Sequence, residues 1–500
     1  MTAGRAIVLI TFGFLAVRLG SATMVTVPGY TDAYYYVDVA RNLARGDGLV
    51  ADFVWDPVEA PGLAALPLPS HRFWMPLATV IQAAGISILG SSLGAFRAAQ
   101  AVVILLAAAL PFATYAAARR LGAGVGWSLV AATLTGLGGL FAPAWVTLDS
   151  FSVAALLGTI FFVAFGRAAG GSVPAGVVAG LSVGLLFLAR AEAALFGIAL
   201  LALAMAPRAR PAAAAGCVGA LCIGLVWLAR DIGLGSSGDV LARSALLVRY
   251  EDFFALRSPT LDAFREAFPE VAAAKAAALG TNAVTFIFAF ALIPIVGMAA
   301  GLRTLFARPE VRAFAGLTVI VFLGQSLVWT LHSTRGSYVH SLAAFVPFGL
   351  ALSCAGAEAL LTRVASGARS IAVAAALGTS LAMSVASIGQ FDGSFGETER
   401  ARRAAVPAIP GGPFLAIDAA AWRWVADRPV IVTPADGLDA AGCVAATYGA
   451  RSVVLEAPHF SAYDELYRTG RGQAWLGTPT DVGTIRVFPI IGDIGCSLRR

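Results

Sequence analysis

The stretch "PGYTDAYYYVDVARNLARGDG", residues 28–48, follows the first apolar segment of the chain and differs sharply from it. It places an Asp, three consecutive tyrosines and alternating charges in a chain with 58% hydrophobic and 13% charged residues. A 500-residue chain with a mean hydropathy of +0.80 is typical of an integral membrane protein. The apolar run before it, behind Arg5, is long enough to span a bilayer and has no small-residue cleavage site. We therefore predict a retained first span rather than a signal peptide.

Apolar run lengths predict about eleven transmembrane helices. Their centres are Phe14, Leu106, Leu134, Leu157, Val183, Leu200, Ile223, Ile293, Ile320, Gly349 and Ala376. With the N-terminus inside, the inner connections carry many arginines and one acid, Glu310. Those arginines are Arg119, Arg120, Arg167, Arg208, Arg210, Arg303, Arg308, Arg312, Arg363 and Arg369. The positive-inside bias then predicts a cytoplasmic N-terminus and an extracytoplasmic C-terminus in the plasma membrane.

The segment "GVVAGLSVGLLFLARAEAALFGIALLALAM", residues 176–205, can be read as one long span or as a hairpin of two. One long span would put the basic "PRARP" outside and invert every later basic loop. We therefore predict a tight hairpin that turns at Arg190–Glu192.

The hydropathy falls after about Gln390, and the pattern changes to "RPVIVTP", "ARSVVLEAP" and "GTIRVFPI". These short β-branched runs between turns and helical stretches predict a small α/β domain. The predicted fold class is thus an all-α polytopic membrane protein with a C-terminal extracytoplasmic α/β domain. Residues 1–390 form the transmembrane module, with surface helices in the first outer loop, residues 28–93, and residues 391–500 form the outer domain. Cys443 and Cys496 are equally well read as a disulfide or as two thiols.

The opening stretch itself predicts an amphipathic helix with Asp32 in its first turn, where the helix dipole favours a carboxylate. Its apolar face, formed by Tyr36, Val39, Ala40 and Leu43, would lie on the membrane surface. The simplest interpretation is an anchor for the loop. A second apolar segment, "SHRFWMPLATVIQAAGISILG", precedes the next span. Two such helices and an acid at the membrane boundary indicate instead an enzyme cavity for a lipid-borne substrate.

The order of features resembles the GT-C superfamily of polyprenyl-phosphate-sugar glycosyltransferases, especially bacterial relatives of the protein O-mannosyltransferases (family 39) and the aminoarabinose transferases. The resemblance rests on the first-loop stretch "YTDAYYYVDVARNLARGDG" and on later motifs in order. These are "HRFWMPL", "FRAAQAVVILLAAALPFATYAAARRLG", "FAPAWVTLDSFSVAALLG", "GLSVGLLFLARAEAALF", "WLARDIG" and "RGSYVHSLAAFVPFGLAL". It implies a hexosyl- or pentosyltransferase that moves a sugar from a polyprenyl-phosphate donor to a protein, polysaccharide or glycolipid acceptor outside the cytoplasm, with inversion.

The resemblance also assigns site residues. Asp32 matches the first-loop acid that deprotonates the acceptor hydroxyl, and Asp149 matches a second catalytic acid facing the cavity. Cations near the departing phosphate stabilise its developing charge. The four arginines assigned to that role are Arg97, which in the family also organises the first-loop acids, and Arg190, Arg230 and Arg335. The residues assigned as substrate contacts are Tyr35, His71 and Glu192.

Each of these assignments has a structural alternative. Arg190 and Glu192 pair at a turn, Arg230 anchors a helix boundary, and Asp149 caps the next span. His332, His340 and His459 are read as structural. Many relatives have two adjacent acids where this chain has Asp32–Ala33, and "HRFWMP" replaces a compact His-Pro-Pro. These departures weaken the case for an acid–histidine metal site, so no metal ligand is assigned, and a divalent metal is left open.

The alternative from another functional class is a multi-span transporter or flippase of lipid-linked saccharides. Transporters often contain two-fold repeats, which this sequence lacks. A catalytically silent protein that binds polyprenyl phosphate is a third alternative. The sequence has no nucleic-acid-binding motif, and its basic residues are explained by the membrane.

Overall fold

The computed structural model describes residues 3–235, 243–362, 364–492, 494 and 496. Among these residues, most helices up to residue 391 coincide with the apolar runs of the sequence, and the helices after residue 391 are short. The first eight are α1 Ala3–Met24, α2 Thr31–Arg45, α3 Leu77–Arg120, α4 Val125–Leu137, α5 Phe151–Ala168, α6 Val173–Ala189, α7 Phe196–Leu203 and α8 Arg210–Gly233. The next seven are α9 Leu261–Glu266, α10 Phe268–Ala289, α11 Pro294–Leu305, α12 Pro309–Leu327, α13 Thr330–Leu342, α14 Val346–Leu361 and α15 Ser366–Phe391. The last four are α16 Glu397–Ala405, α17 Ala419–Ala426, α18 Leu438–Tyr448 and α19 Asp464–Thr469.

The described residues contain 7 helices that are long and apolar enough to cross a membrane. The pair α13 and α14, bent by 64°, raises this number to 8. Shorter apolar helices occur at Val125–Leu137, Val173–Ala189 and Ala191–Leu203. The chain is therefore a multi-pass membrane protein, and the predicted fold class is confirmed.

One predicted span centre is wrong. Ile293 falls at the break between α10 and α11, where Ala291 and Leu292 have φ values of 54° and 63°. Pro294 then opens α11, because proline lacks the N–H that a helix interior requires. The candidate span is Phe268–Ala289, which ends before the predicted centre.

The chain divides into two compact units, and each draws on several parts of the sequence. The membrane unit comprises the described residues of 1–26, 74–233 and 274–391. The second unit, here called the sheet unit, comprises the described residues of 27–73, 234–273 and 392–500. The first outer loop, grouped with residues 1–390 in the prediction, thus contributes residues 27–73 to the sheet unit.

The helices α6 and α8 of the membrane unit pack closely through glycine. Gly176 contacts Ala212, Gly180 contacts Gly216, and Gly184 contacts Ile223. Since the residue numbers increase in the same direction along both helices, α6 and α8 are parallel. Small residues allow such close backbone approach between helices in a membrane. Because the two helices run parallel, α7 must return between them. The predicted hairpin at Arg190–Glu192 is therefore confirmed.

The basic connections of the membrane unit meet at one end. The Arg308 guanidinium donates to the carbonyl oxygen of Arg120 at 2.8 Å. Glu310 lies 3.9 Å from both arginines. Gly171 lies against the carbonyl group of Arg208. The connections at Arg120, Arg208 and Arg308 therefore lie at one end of the membrane unit, which we call the basic end. Of the predicted inner arginines, Arg363 lies outside the described residues.

The sheet unit contains a six-stranded sheet with strand order β2-β5-β4-β6-β8-β7 and a separate pair, β1 and β3. The strands are β1 Val50–Ala51, β2 Phe53–Val54, β3 Leu68–Pro69, β4 Phe414–Ala416, β5 Val430–Val432, β6 Ser452–Leu455, β7 Thr480–Val482 and β8 Ile485–Pro489. Strands β2, β5, β4 and β6 are parallel, and β8 and β7 continue antiparallel. The runs predicted as strands form β5, β6 and β8, so the predicted α/β character is confirmed. Cys443 and Cys496 form a disulfide.

The helix α2 is buried within the sheet unit instead of resting on a membrane surface. The Tyr34 hydroxyl donates to Glu399 at 2.6 Å, and Asp38 lies 3.8 Å from Arg423. The apolar face of α2 also carries buried residues, including Tyr36 and Val39. The amphipathic pattern was real, but its apolar face packs against protein.

Candidate active site

Two interruptions of helical structure bring polar side chains together in the membrane unit. Arg190 follows α6 with extended backbone angles of φ −153° and ψ 123°, which end that helix. The wide turn Ser333–Ser337 interrupts α13, and Gly336 has φ 119°, a value that favours glycine. Asp149 joins these residues from the start of α5. The other end of α5 contains Arg167, close to Gly171 at the basic end. The site therefore lies at the opposite end of the membrane unit.

Asp149 and His340 form a close pair. The Nε2 atom of His340 lies 2.8 Å from an Asp149 carboxylate oxygen, and Nδ1 lies 2.9 Å from the Gly336 carbonyl oxygen. The imidazole ring stacks on Phe151 with centroids 4.3 Å apart. The other carboxylate oxygen of Asp149 accepts from the backbone N–H and the hydroxyl of Ser150. The acid is thus completely buried and held by several donors.

The contacts of this pair indicate its charge. Burial opposes the charge of Asp149, but the neighbouring His340 and Arg190 outweigh burial and hold the pKa of this carboxyl below its ordinary value. The carboxylate form of Asp149 is thus favoured, and the His340 ring lies between this carboxyl group and the Gly336 carbonyl oxygen.

Arg190 and Glu192 form a second pair beside the first. Their Nε and Oε1 atoms are 3.0 Å apart, and the Arg190 guanidinium also donates to the Ser337 hydroxyl at 3.3 Å. Glu192 accepts from the Ser341 hydroxyl at 2.7 Å. The Gln325 amide in turn donates to Ser341 at 3.0 Å. A chain of hydrogen bonds therefore links the turn after α6 to the broken helix α13 and to α12.

A small cavity adjoins this second pair. Its walls are mostly apolar and come from α5, α6, α12 and α13. Its polar lining consists of Arg190, Glu192, His340 and Ser341. Charged and polar groups from the turn after α6 and from α13 thus converge on one small, mostly apolar cavity.

The remaining predicted arginines of the membrane unit have their own contacts. Arg97 donates to the carbonyl oxygen of Ala22 at 2.7 Å, which ties α3 to the end of α1. Arg230 lies over the Trp227 ring, 4.5 Å from its centroid. Arg335 is exposed within the wide turn of α13. Of the four arginines predicted to bind phosphate, Arg190 is the one that joins the Asp149 cluster.

Three predicted site residues lie in the sheet unit. Asp32 is half-buried in the first turn of α2. Tyr35 is completely buried, and its hydroxyl donates to Glu59 at 2.7 Å and accepts from the His71 backbone N–H at 2.6 Å. The His71 ring stacks on Tyr36. Glu59, which the sequence analysis did not single out, is thus the acid that holds Tyr35.

His340 is the functional candidate that the sequence analysis missed. It was read as structural, yet it contacts Asp149 across 191 residues of sequence. A signal was present, because "STRGSYVHS" is a polar run inside an apolar region. Ionisable residues within membrane segments mark functional sites by default.

No protein-family model matches the chain, and no curated protein matches it. Solved structures do match its fold. ArnT from Cupriavidus metallidurans, bound to undecaprenyl phosphate, superposes with a TM-score of 0.57 at 13% identity over 99% of both chains. The Archaeoglobus fulgidus oligosaccharyltransferase gives 0.55 at 14% identity over 93% of this chain and 70% of its own. Mycobacterial arabinofuranosyltransferase AftD gives 0.50 at 14% identity over 97% of this chain and 40% of its own. These three are GT-C glycosyltransferases, so the chain has the GT-C fold that its sequence resembles.

Proposed function

We propose that this protein is a membrane glycosyltransferase that moves a sugar from a polyprenyl-phosphate donor to an extracytoplasmic acceptor by inverting displacement. The observation that carries the proposal is the buried cluster of Asp149, His340, Arg190 and Glu192 in a chain with the GT-C fold. The structural neighbour ArnT binds undecaprenyl phosphate, which supports a lipid phosphate as the donor group.

The chemistry needs few parts. The sugar of such a donor already has a phosphate leaving group, so the enzyme must deprotonate the acceptor hydroxyl and stabilise the charge on the departing phosphate. A guanidinium group suits phosphate geometry, and Arg190 borders an apolar cavity. Arg190 is therefore the first choice for the phosphate contact, ahead of Arg97, Arg230 and Arg335.

Of the two predicted catalytic acids, Asp32 is the better general base. Asp149 is already paired with the His340 imidazole, and its lowered pKa makes it a weak proton acceptor. Asp32 is half-buried near a helix N-terminus, where the helix dipole favours a carboxylate. We therefore assign deprotonation of the acceptor to Asp32 and a positioning role to Asp149.

The proposed location is the plasma membrane, with the N-terminus in the cytoplasm and the C-terminal residues outside. The basic end supports this orientation, because basic connections favour the cytoplasmic side. The disulfide between Cys443 and Cys496 supports an oxidising compartment for the C-terminal residues. The membrane module is proposed to carry the chemistry, and the outer domain to shape acceptor access.

The proposal is tested with purified protein in lipid nanodiscs and a panel of polyprenyl-phosphate-linked hexoses and pentoses. Consumption of one donor with release of polyprenyl phosphate is expected in the presence of its acceptor. Folded protein that consumes none of them would count against the function. Movement of an intact lipid-linked sugar across a bilayer without its consumption would support the flippase instead.

A further inference from the structure

Each acid of the site cluster lies against a basic side chain. His340 is 2.8 Å from Asp149, and Arg190 is 3.0 Å from Glu192. A carboxylate bound to a guanidinium offsets the attraction of that guanidinium for a second anion. For Arg190 to bind a phosphate strongly, Glu192 must therefore give way.

Glu192 is the carboxylate that is held less firmly. The Asp149 side chain has no exposed surface and receives hydrogen bonds from His340 and from both donors of Ser150. Glu192 retains 13% exposure, and its side chain is held by Arg190 and Ser341. Glu192 also borders the cavity, next to Arg190. An anion that approaches Arg190 therefore meets a guanidinium that Glu192 already occupies.

We propose that Glu192 is a built-in competitor for Arg190, which the phosphate of the donor lipid displaces when it binds. This inference rests on the proposed function and adds a positioning residue to it. In the empty site the carboxylate satisfies the charge of Arg190. In the occupied site the phosphate oxygens take that place, and Ser341 remains as a donor for the released carboxylate.

The exchange also explains why the pair belongs to a wider network. Arg190 and Glu192 both contact α13, at Ser337 and Ser341 respectively. These residues flank the break at Gly336, whose carbonyl oxygen accepts from His340. Release of Glu192 from Arg190 therefore breaks the link between two residues that both contact the broken helix, and this helix also orients the Asp149 pair.

The test is the affinity for undecaprenyl phosphate, without a sugar, in nanodiscs. The variants are Glu192→Gln, Arg190→Gln and the double variant. Glu358→Gln serves as the matched control, because Glu358 accepts from the Gly124 N–H at 2.7 Å and contacts the basic end. Removal of a competitor strengthens binding, so Glu192→Gln is expected to bind about five- to tenfold more tightly than the wild type. Arg190→Gln is expected to bind at least about tenfold more weakly.

A double-mutant cycle separates competition from simple bracing. If Glu192 acts through Arg190, the gain from Glu192→Gln disappears in the Arg190→Gln background, and Glu358→Gln matches the wild type. Equal or weaker binding by folded Glu192→Gln would overturn this inference and leave the proposed function intact. A wild-type protein that binds no undecaprenyl phosphate would overturn both.

Discussion

Asp32 lies in the first turn of α2, on the sequence stretch that first suggested a catalytic site. Asp32→Asn keeps the size of the side chain and removes its ability to accept a proton. We expect the transfer rate to fall by roughly 10²–10⁴-fold, because that is the usual contribution of general-base catalysis. Binding of the donor lipid should change little, since Arg190 is proposed to hold the phosphate. The measurement is the transfer rate together with donor affinity.

The sequence offers Asp38 as a control, but its structure makes it unsuitable. Asp38 is buried and lies 3.3 Å from Arg41 and 3.8 Å from Arg423, so its removal would disturb an ion-pair network that supports the fold of the sheet unit. Asp47 is the better control, because its side chain is 52% exposed in the same loop. Asp47→Asn should retain the wild-type rate. Near-normal turnover by Asp32→Asn, or equal losses in both variants, would move the base to another residue.

Glu59 predicts a pH dependence of the sheet unit. Burial raises the pKa of Glu59 to about 7, although Tyr35, Trp55 and the Arg72 backbone donate to its carboxylate. In the unfolded chain this carboxyl titrates at its ordinary value of about 4.3. Between these two pH values Glu59 is deprotonated in the unfolded chain but still protonated in the folded chain, so a rise in pH shifts the equilibrium toward the unfolded chain. The contribution of Glu59 to the free energy of unfolding is therefore fully present below about pH 4.3. It falls as the pH rises and levels off above about pH 7.

The size of this effect is at most about 4 kcal/mol in the free energy of unfolding. Burial also raises the pKa of Asp56, so both acids act in the same direction. We expect the melting temperature of the wild-type protein to fall between pH 5 and 7, and Glu59→Gln to fall less. Asp262→Asn, whose side chain is 86% exposed, should follow the wild type. A Glu59→Gln variant with the full wild-type slope would exclude Glu59 as the titrating group.

The sequence predicts single residues of the site better than their partners. Asp149 and Arg190 are isolated charges in apolar segments, so the sequence alone identifies them as candidate functional residues. Their contacts with His340 and Ser341 depend on the break at Gly336, which sets where α13 points. Helical periodicity says nothing about contacts across 150–190 residues of sequence. His340 was therefore assigned a structural role, although its position in a polar run marked it.

Among the helices, the α6–α8 packing gives a prediction that depends on the fold alone. A Cβ atom at Gly180 would overlap the carbonyl oxygen of Gly216, so any side chain must force the two helices apart. Gly180→Val should reduce stability by about 1–3 kcal/mol more than a matched valine elsewhere. Gly197→Val in α7 is that control, because a Cβ atom there has no heavy atom within 4 Å. The measurement is the thermal stability of detergent-solubilised protein. Equal losses in the two variants would contradict the close packing.

The helices of the membrane unit leave a clear signal in the sequence. Span prediction works because every backbone polar group in a bilayer must be satisfied within a helix, which leaves long apolar runs as the signal. It failed at Ile293, where Pro294 marked a boundary inside an apolar run that was read as one span. It also missed β2 and β4, because runs of two or three residues carry too little pattern to separate from a loop.

At the scale of the whole molecule, the sequence predicts where the apolar density falls but not which segments fold together. Strand β2 pairs Phe53 with Val430, and the two residues are 377 positions apart. The Tyr34–Glu399 hydrogen bond joins the same two regions. The sheet unit is therefore assembled from the first outer loop, the loop after α8 and the C-terminal residues. Removal of the residues after Ser394 would expose buried parts of the first outer loop, so such a truncation is a poor test of the outer domain.

The last prediction concerns orientation in the membrane. Because α6 and α8 run parallel, Arg208 lies at the same end as Gly171, and the Arg308–Arg120 contact belongs to the basic end. Reporter fusions at Arg210 and Arg308 should therefore agree with each other, and the positive-inside bias predicts that both are cytoplasmic. A fusion at Ser394, beyond the candidate span α15, should report the opposite side. A disagreement between Arg210 and Arg308 would contradict the hairpin at Arg190–Glu192. If the Arg210 and Arg308 fusions both report the outside and the Ser394 fusion reports the inside, the fold is retained but the protein is inverted in the membrane. The proposed site would then lie on the cytoplasmic side, where an extracytoplasmic acceptor could not reach it.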